Sequence, residues 1–127
     1  MNWNKKRILV VDDDVSILRV FKGILEKEGY AVETADTGKD ALKKIKKAKF
    51  NVCIVDVKLP DMDGTELLLK IPNYPKTIKI IVTGFSTHEV GKKAADYGAD
   101  DFLVKPVKAE ELIATVRERL ATIHEDR

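Results

Sequence analysis

Five short apolar runs recur along this chain at intervals of about twenty to twenty-seven residues, and each is followed by a segment with helical periodicity. The runs are Ile8 to Val11, Ala31 to Ala35, Val52 to Val55, Ile78 to Val82 and Phe102 to Val104. Val and Ile dominate the first, third and fourth, as in central parallel strands covered on both faces. A strand-then-helix unit repeated five times leaves few architectures, because crossovers between parallel strands are almost always right-handed. The pattern predicts an α/β domain: a doubly wound, five-stranded parallel sheet in strand order 2-1-3-4-5, with five helices on its two faces.

The intervening segments carry their own start and stop signals. Ile17, Leu18, Phe21, Ile24 and Leu25 make one apolar stripe on a first helix, and Gly29 is placed to end it. Thr37-Gly38-Lys39-Asp40 reads as a capping box for a helix burying Ala41, Leu42 and Ile45. A short helix from Thr65 to Lys70 is stopped by Pro72 and Pro75. Ser86-Thr87-His88-Glu89 is a second capping box, for a helix reaching about Tyr97 with Gly98 beyond it. The last helix runs from about Lys108 to His124, with Leu112, Ile113, Val116, Leu120 and Ile123 on one face.

Composition narrows the function classes. A chain of 127 residues, 44% of them hydrophobic, hides roughly two-thirds of its unfolded surface in one core, without disulfides or structural metal. One domain over 1–127, with a core at about 7–120, is the expectation. Cys53, the single cysteine, reads as a buried small apolar residue. A net charge of +2, from 23 basic and 21 acidic residues, lacks the basic signature of a dedicated nucleic-acid binder. Only four apolar residues follow the polar start Met1 to Arg7, too few for a secretory core or a membrane span. A cytoplasmic chain that binds neither nucleic acid nor membrane is therefore expected.

In doubly wound sheets, chemistry sits at the carboxyl ends of the strands, at the switch point between strands 1 and 3. Strand 1 ends in Asp12-Asp13-Asp14, strand 3 in Asp56, strand 4 in Thr83-Gly84 and strand 5 in Lys105-Pro106. Singly, each has a plain reading: Asp13 or Asp14 as a helix cap, Thr83 as a turn residue, Lys105 as a surface lysine. Together, Asp12, Asp13 and Asp56 approach with like charge, and two such charges at 4 Å repel by about 4 kcal/mol at a dielectric of 20. A hard divalent cation relieves this. Mg²⁺ binds through carboxylates and leaves positions for phosphoryl oxygens, and with Lys105 three negative charges meet three positive. A carboxylate so balanced can attack phosphorus and form an acyl phosphate, with Thr83 donating a hydrogen bond and Lys105 a point charge.

These residues resemble a known family. Ile8 to Asp13, then Val55-Asp56-Val57-Lys58-Leu59-Pro60-Asp61-Met62-Asp63-Gly64, then Ile81-Val82-Thr83-Gly84, then Gly98 to Pro106 resemble the receiver domain of two-component response regulators. The resemblance runs from about Arg7 to about Leu120 and implies a flavodoxin-like, chemotaxis-regulator-like fold. It implies that Asp56 accepts a phosphoryl group from a sensor histidine kinase or a small phosphodonor. It implies that Asp12, Asp13, Asp56 and the backbone carbonyl of Lys58 hold Mg²⁺, and that Thr83 and Lys105 sense the phosphoryl group. Phe102 matches the aromatic switch position, whose ring is expected to turn inward as Thr83 moves. Asp14 falls where the family often has an acidic residue that is not a main ligand, and it stays outside the site.

Two further expectations concern Lys58 and Phe85, and the fourth helix. Lys58 and Phe85 stand two residues after the acceptor and the threonine, where the family flanks the phosphoryl group. A lysine and a bulky ring there are expected to crowd the attacking water and lengthen the phosphorylated state. The helix ending near Tyr97 has a thin apolar inventory, with Gly91 inside it. It is expected to be the least stable helix and, with strand 5 and the last helix, to form the surface reshaped on phosphorylation. That surface would meet a downstream effector or, on phosphorylation, a second copy of the chain.

Other features carry less. Six lysines between Lys39 and Lys49 read as a solvated helix face. His88 and His124 lack ligand clusters and read as exposed, and Trp3 is undecided. Two competing functions remain. Asp12-Asp13-Asp14-Val15-Ser16 also resembles the nucleophile motif of haloacid-dehalogenase-type phosphatases, with Asp12 as nucleophile and Asp14 as acid/base, although Val15 stands where that family has glycine. A receiver-like module that binds partners without phosphorylation is the other. The favoured reading is a switch that turns over no separate substrate, in a stand-alone regulator or in part of a longer one.

Overall fold

The computed structural model describes residues 5–73 and 75–123. Along them run β1 (Arg7–Val11), α1 (Val15–Lys27), β2 (Ala31–Ala35), α2 (Gly38–Lys47), β3 (Val52–Val55), α3 (Gly64–Leu68), β4 (Ile78–Thr83), α4 (His88–Asp96), β5 (Asp101–Val104) and α5 (Ala109–Ala121). All strand pairs are parallel and the order is β2-β1-β3-β4-β5, as the alternation predicts. Trp3 and His124 lie outside the described residues. Among those described, no helix is long and apolar enough to cross a membrane.

Side chains alternate between the sheet's faces with period two, so the apolar runs of β1, β3 and β4 feed two cores at once. Ile8, Val10, Ile54, Ile80 and Val82 pack with Leu18, Phe21, Leu25, Leu112 and Val116 under α1 and α5. Leu9, Val11, Cys53, Val55 and Ile81 pack with Ala41, Leu67, Leu68 and Ala94 under α2, α3 and α4. Burial pushes the Cys53 thiol pKa up to about 12, the behaviour of an inert core residue. The apolar run of β4 is interrupted by Lys79, only 2% exposed, whose Nζ donates to Asn73 Oδ1 at 2.6 Å. Desolvation lowers its pKa, and among the described residues the Asn73 amide oxygen is its one hydrogen-bond acceptor.

The helix ends show which local signals decide. Thr37 caps α2, its Oγ1 accepting from the Asp40 amide at 3.0 Å, as expected. Gly29 and Gly98 follow α1 and α4 at φ of 97° and 103°, a backbone region that favours glycine. Three boundaries differ from expectation. α3 begins at Gly64, capped by Asp63, and ends at Leu68, because Leu69 and Lys70 tighten into i→i−3 bonds to Glu66 and Leu67 before Pro72. The cap of α4 is Thr87 rather than Ser86: Thr87 Oγ1 accepts from the Val90 amide at 3.1 Å. α5 starts at Ala109 and ends at Ala121, short of the expected His124. On α2, Lys39, Lys43, Lys46 and Lys47 are exposed, the solvated face that their spacing predicts.

The two faces differ in grip. α1 buries Leu18, Phe21 and Leu25, each worth about 1.5–3 kcal/mol, whereas α4 buries only Ala94. Amide exchange followed by mass spectrometry should therefore show α4 opening at least about tenfold faster than α1. Equal protection in the two helices would refute that difference.

Candidate functional site

The sheet's hydrogen bonding runs one residue past its strands and so fixes the residues at its carboxyl edge. The Asp12 amide donates to the Ala35 carbonyl at 3.1 Å, the Asp56 amide to Val11 at 2.9 Å, and the Lys105 amide to Thr83 at 2.9 Å. β1 lies between β2 and β3, so its end is the switch point where successive crossovers go to opposite sides. Pro106 follows Lys105 through a cis peptide bond.

At that edge Lys105 Nζ donates to Asp12 Oδ2 at 2.7 Å and to Asp56 Oδ2 at 2.9 Å. Both carboxylates are buried, with 3% and 7% of their residue surface exposed. Asp13 is exposed but offers an oxygen to the same place: donor atoms of Asp12, Asp13 and Asp56 lie within 4.8 Å of one another. One ammonium is thus shared by two buried carboxylates, with a third close beside them. Asp12 Oδ1 accepts from the Asp14 amide at 2.9 Å, whereas Asp56 Oδ1 is buried with no hydrogen-bond partner among the described residues. An orphaned carboxylate oxygen costs free energy unless something else meets it.

The charges respond as these contacts dictate. Desolvation raises the Asp12 pKa above its ordinary value; the Lys105 hydrogen bond opposes this and the charge of Asp56 adds to it. Burial pulls Lys105 down, but its hydrogen bonds to Asp12 and Asp56 outweigh that, and its pKa ends above the ordinary lysine value. The two directions agree on one picture. Lys105 stays charged, and the buried acidic pair holds more negative charge than one ammonium satisfies.

The loop after β3 builds the remaining wall. Lys58 and Asp63 face each other in an antiparallel bridge, closed by the Gly64 amide to the Val57 carbonyl at 2.6 Å and the Leu59 amide to Met62 at 3.2 Å. Neither bond uses the Lys58 carbonyl. Gly64 is required here: a Cβ on it would stand 1.8 Å from the Asp56 carbonyl oxygen. Asp61 anchors the loop to α2, its oxygens accepting from the amides of Gly38 and Lys39 at 2.8 and 2.9 Å, and these bonds lower its pKa. Asp63 accepts from the Thr65 amide and hydroxyl and from Lys93 of α4.

Thr83 is fully buried, with its Oγ1 accepting from the Phe85 amide at 3.1 Å. Phe85 is 49% exposed, and Lys58 Nζ sits 4.4 Å from its ring centroid, so the two residues meet across the loops after β3 and β4. Phe102 is half-buried against the core shared with Val90, Tyr97 and Ala99. A cavity of about 110 Å³ lies beside it, lined by Gly91, Ala94, Ala95 and Ala99. Asp14 only caps α1, accepting from the Ser16 amide at 2.9 Å. Asp12, Asp13, Asp56, Thr83 and Lys105 thus gather at one edge with Lys58 and Phe85 in its loops, Phe102 lies back within β5, and the anchoring roles of Asp61 and of the Asp63–Lys93 pair went unread. The aspartates of the Asp61-Met62-Asp63-Gly64 run signal helix caps in sequence, but not which helix each one holds.

A family model described as the response regulator receiver domain matches residues 8–117. The transcriptional regulatory protein ZraR of Klebsiella oxytoca is 34% identical over 122 residues, which are 95% of this chain and 28% of that protein. The response regulator ArlR of Staphylococcus aureus (strain Mu50 / ATCC 700699) is 37% identical over 111 residues, 87% of this chain and 51% of that one. The chain therefore spans only about a quarter to a half of those curated relatives. The crystal structure of a response regulator receiver domain protein (CheY-like) from Methanospirillum hungatei JF-1 is 46% identical, with a TM-score of 0.88, covering 92% of this chain and 94% of its own.

Removing the bridging ammonium tests the electrostatic picture. Lys105→Met should cost about 2 kcal/mol at neutral pH in urea unfolding, because buried carboxylates lose their cation. The pKa of Asp12 then rises further. A carboxyl raised by folding contributes stability fully below its unfolded value of 3.8 and loses it as pH rises through the folded value. The deficit of Lys105→Met should accordingly shrink as the solution is acidified towards pH 4. A deficit independent of pH would count against the picture.

Proposed function

The chain belongs to the response regulator receiver domain family, a family of phosphorylation-activated signalling switches, and from that premise we propose that Asp56 is its phospho-acceptor. The observation that carries this is the asymmetry between the two buried aspartates. Asp12 has both oxygens engaged, by Lys105 and by the Asp14 amide, whereas Asp56 Oδ1 is free of partners among the described residues. A free, buried oxygen held at a strand end is suited to attack on phosphorus. The acceptor oxygen forms a bond to phosphorus, the bond to the donor imidazole nitrogen or acyl oxygen breaks, and an acyl phosphate results.

Asp12, Asp13, Asp56 and the Lys58 carbonyl are the groups that would hold Mg²⁺. Carboxylate oxygens of Asp12, Asp13 and Asp56 within 4.8 Å of one another, hard donors all, fit that ion. When bound, it would supply positive charge against the phosphoryl oxygens. Lys105 supplies a second positive charge from the opposite strand. The Thr83 hydroxyl accepts from the Phe85 amide and keeps its own proton for a phosphoryl oxygen. Phe102, beside a cavity on the α4 side, is positioned to turn as Thr83 moves, and α4, β5 and α5 form the output surface, where Val104 of β5 stands exposed.

The proposed partners are a sensor histidine kinase as donor and a downstream effector, with homodimerisation on phosphorylation, in the cytoplasm. Residues 1–127 are proposed to act as one receiver unit that turns over no separate substrate. The phosphatase alternative is weakened by Asp14, whose carboxylate is engaged at the start of α1. Incubation with Mg²⁺ and a small acyl phosphate, followed by peptide mapping, should place one phosphoryl group on Asp56, and Asp56→Asn should abolish it. Label on Asp12, or none on the unsubstituted protein, would overturn the assignment.

Lys58 and Phe85 are proposed to slow hydrolysis. Their contact places a cation over a ring between the two loops that flank Asp56 and Thr83, where an attacking water has to enter. Replacing both, Lys58→Asn with Phe85→Glu, should speed phosphate loss by about tenfold, equivalent to about 1.4 kcal/mol in the barrier. Timed loss of phosphate from Asp56 measures it, and an unchanged or slower loss would sink the proposal.

A further inference from the structure

One ion pair joins the loop after β3 to α4. Lys93 Nζ lies 2.9 Å from Asp63 Oδ2, with the two side chains 38% and 36% exposed. The other oxygen of Asp63 is occupied by the Thr65 amide and hydroxyl at 2.8 and 2.7 Å. Burial pushes Asp63 up, but its bonds to Thr65 and Lys93 bring its pKa below the ordinary carboxylate value. The same pair raises Lys93, whose ammonium also stands 5.5 Å from the Tyr97 ring centroid. Asp63 is the residue opposite Lys58 in the antiparallel bridge, and Gly64 beside it is packed against the Asp56 carbonyl. A pull on the Asp63 side chain is therefore transmitted through two backbone hydrogen bonds to the segment that carries Lys58. On the helix side there is little else to share the load, since α4 buries only Ala94.

We propose that Lys93 is a positioning residue for the cation site: acting through Asp63, it holds the Lys58 carbonyl where a metal ligand is required and couples the seating of α4 to cation affinity. This rests on the reading of Asp12, Asp13, Asp56 and Lys58 as the Mg²⁺ site. Linkage makes the coupling reciprocal, so cation binding also steadies α4. The sign is diagnostic. Loss of a positive charge near a cation site would by itself strengthen Mg²⁺ binding, whereas loss of a positioning contact weakens it.

The test measures Mg²⁺ dissociation constants by calorimetry on the whole chain at about 0.15 M salt, where charges beyond roughly 8 Å are screened. Lys93→Met, which keeps the apolar stem, should bind Mg²⁺ about two- to fivefold more weakly, the range of an exposed ion pair. Lys93→Arg should restore binding. Lys92→Met, which removes a neighbouring exposed lysine paired with Asp96 at 3.2 Å, should leave it unchanged. Asp63→Asn should weaken binding, and adding Lys93→Met to it should cost nothing more. Amide exchange gives a second readout: Mg²⁺ should slow exchange in α4 of the unsubstituted protein but not of Lys93→Met. A purely structural role for Lys93 would alter α4 exchange without altering its response to Mg²⁺. If Lys93→Met binds as tightly as the unsubstituted protein, or Lys92→Met weakens equally, or arginine fails to rescue, the inference is overturned. If the unsubstituted protein binds no Mg²⁺, the reading of the metal site falls first and takes the inference with it.

Discussion

The bridge that Lys105 makes between two buried aspartates is the constraint on which the rest of the structure depends. Its partners lie 93 and 49 residues away in the chain, so it exists only when β1, β3 and β5 are already in one sheet in the observed order. Burying like charges at a strand edge is unfavourable, and one ammonium leaves the group with excess negative charge. A folded domain tolerates this only because the sheet beneath is held by two apolar cores. Desolvation raises the Asp12 pKa despite its bond to Lys105, whereas the bonds to Asp12 and Asp56 raise that of Lys105 despite its own desolvation. What destabilises the edge also makes it responsive, because any added cation or phosphoryl group changes a balance that is already uneven.

That response has an outlet on one face. The face under α1 and α5 is gripped by Leu18, Phe21, Leu25, Leu112 and Val116, whereas α4 is held by Ala94 and a few half-buried neighbours. The contacts that leave the site loops run to this weaker side: Lys58 meets Phe85 ahead of α4, and Asp63 meets Lys93 on it. A helix with little apolar burial, tied by polar contacts to the loop beside the acceptor, can shift at small cost when that loop rearranges. The apolar grip of α1 and the polar tie between Asp63 and Lys93 thus lie on opposite faces of one sheet.

How much of this was legible follows the range of each interaction. Thr37 and Gly29 act on amides or backbone angles within a few residues, and the pattern places them correctly; between Asp13 and Asp14 as cap of α1 the pattern did not choose, and Asp14 is the cap. The choice between Ser86 and Thr87 as cap of α4 was misread, because both have the right hydroxyl and only the seating of Ala94 against the sheet decides the register. Lys79 hides in an apolar run, and nothing local says that Asn73 will meet its ammonium. Asp63 caps α3 through a residue two positions on, but its second partner comes from a helix thirty residues away in the chain.

By itself the sequence determined the alternation of strands and helices and placed Asp12, Asp13, Asp56, Thr83 and Lys105 at strand ends, leaving a few strand orders among which the family resemblance favoured the observed one. Those follow from short-range periodicity and from handedness rules that admit few arrangements. Only the tertiary structure decided which aspartate oxygen is left without a partner, which carboxylate Lys93 holds, and that Lys58 and Phe85 touch. Such outcomes depend on differences of an ångström or two between groups brought together by packing, and hydrogen bonds and ion pairs fall away over that distance, whereas a hydrophobic pattern does not.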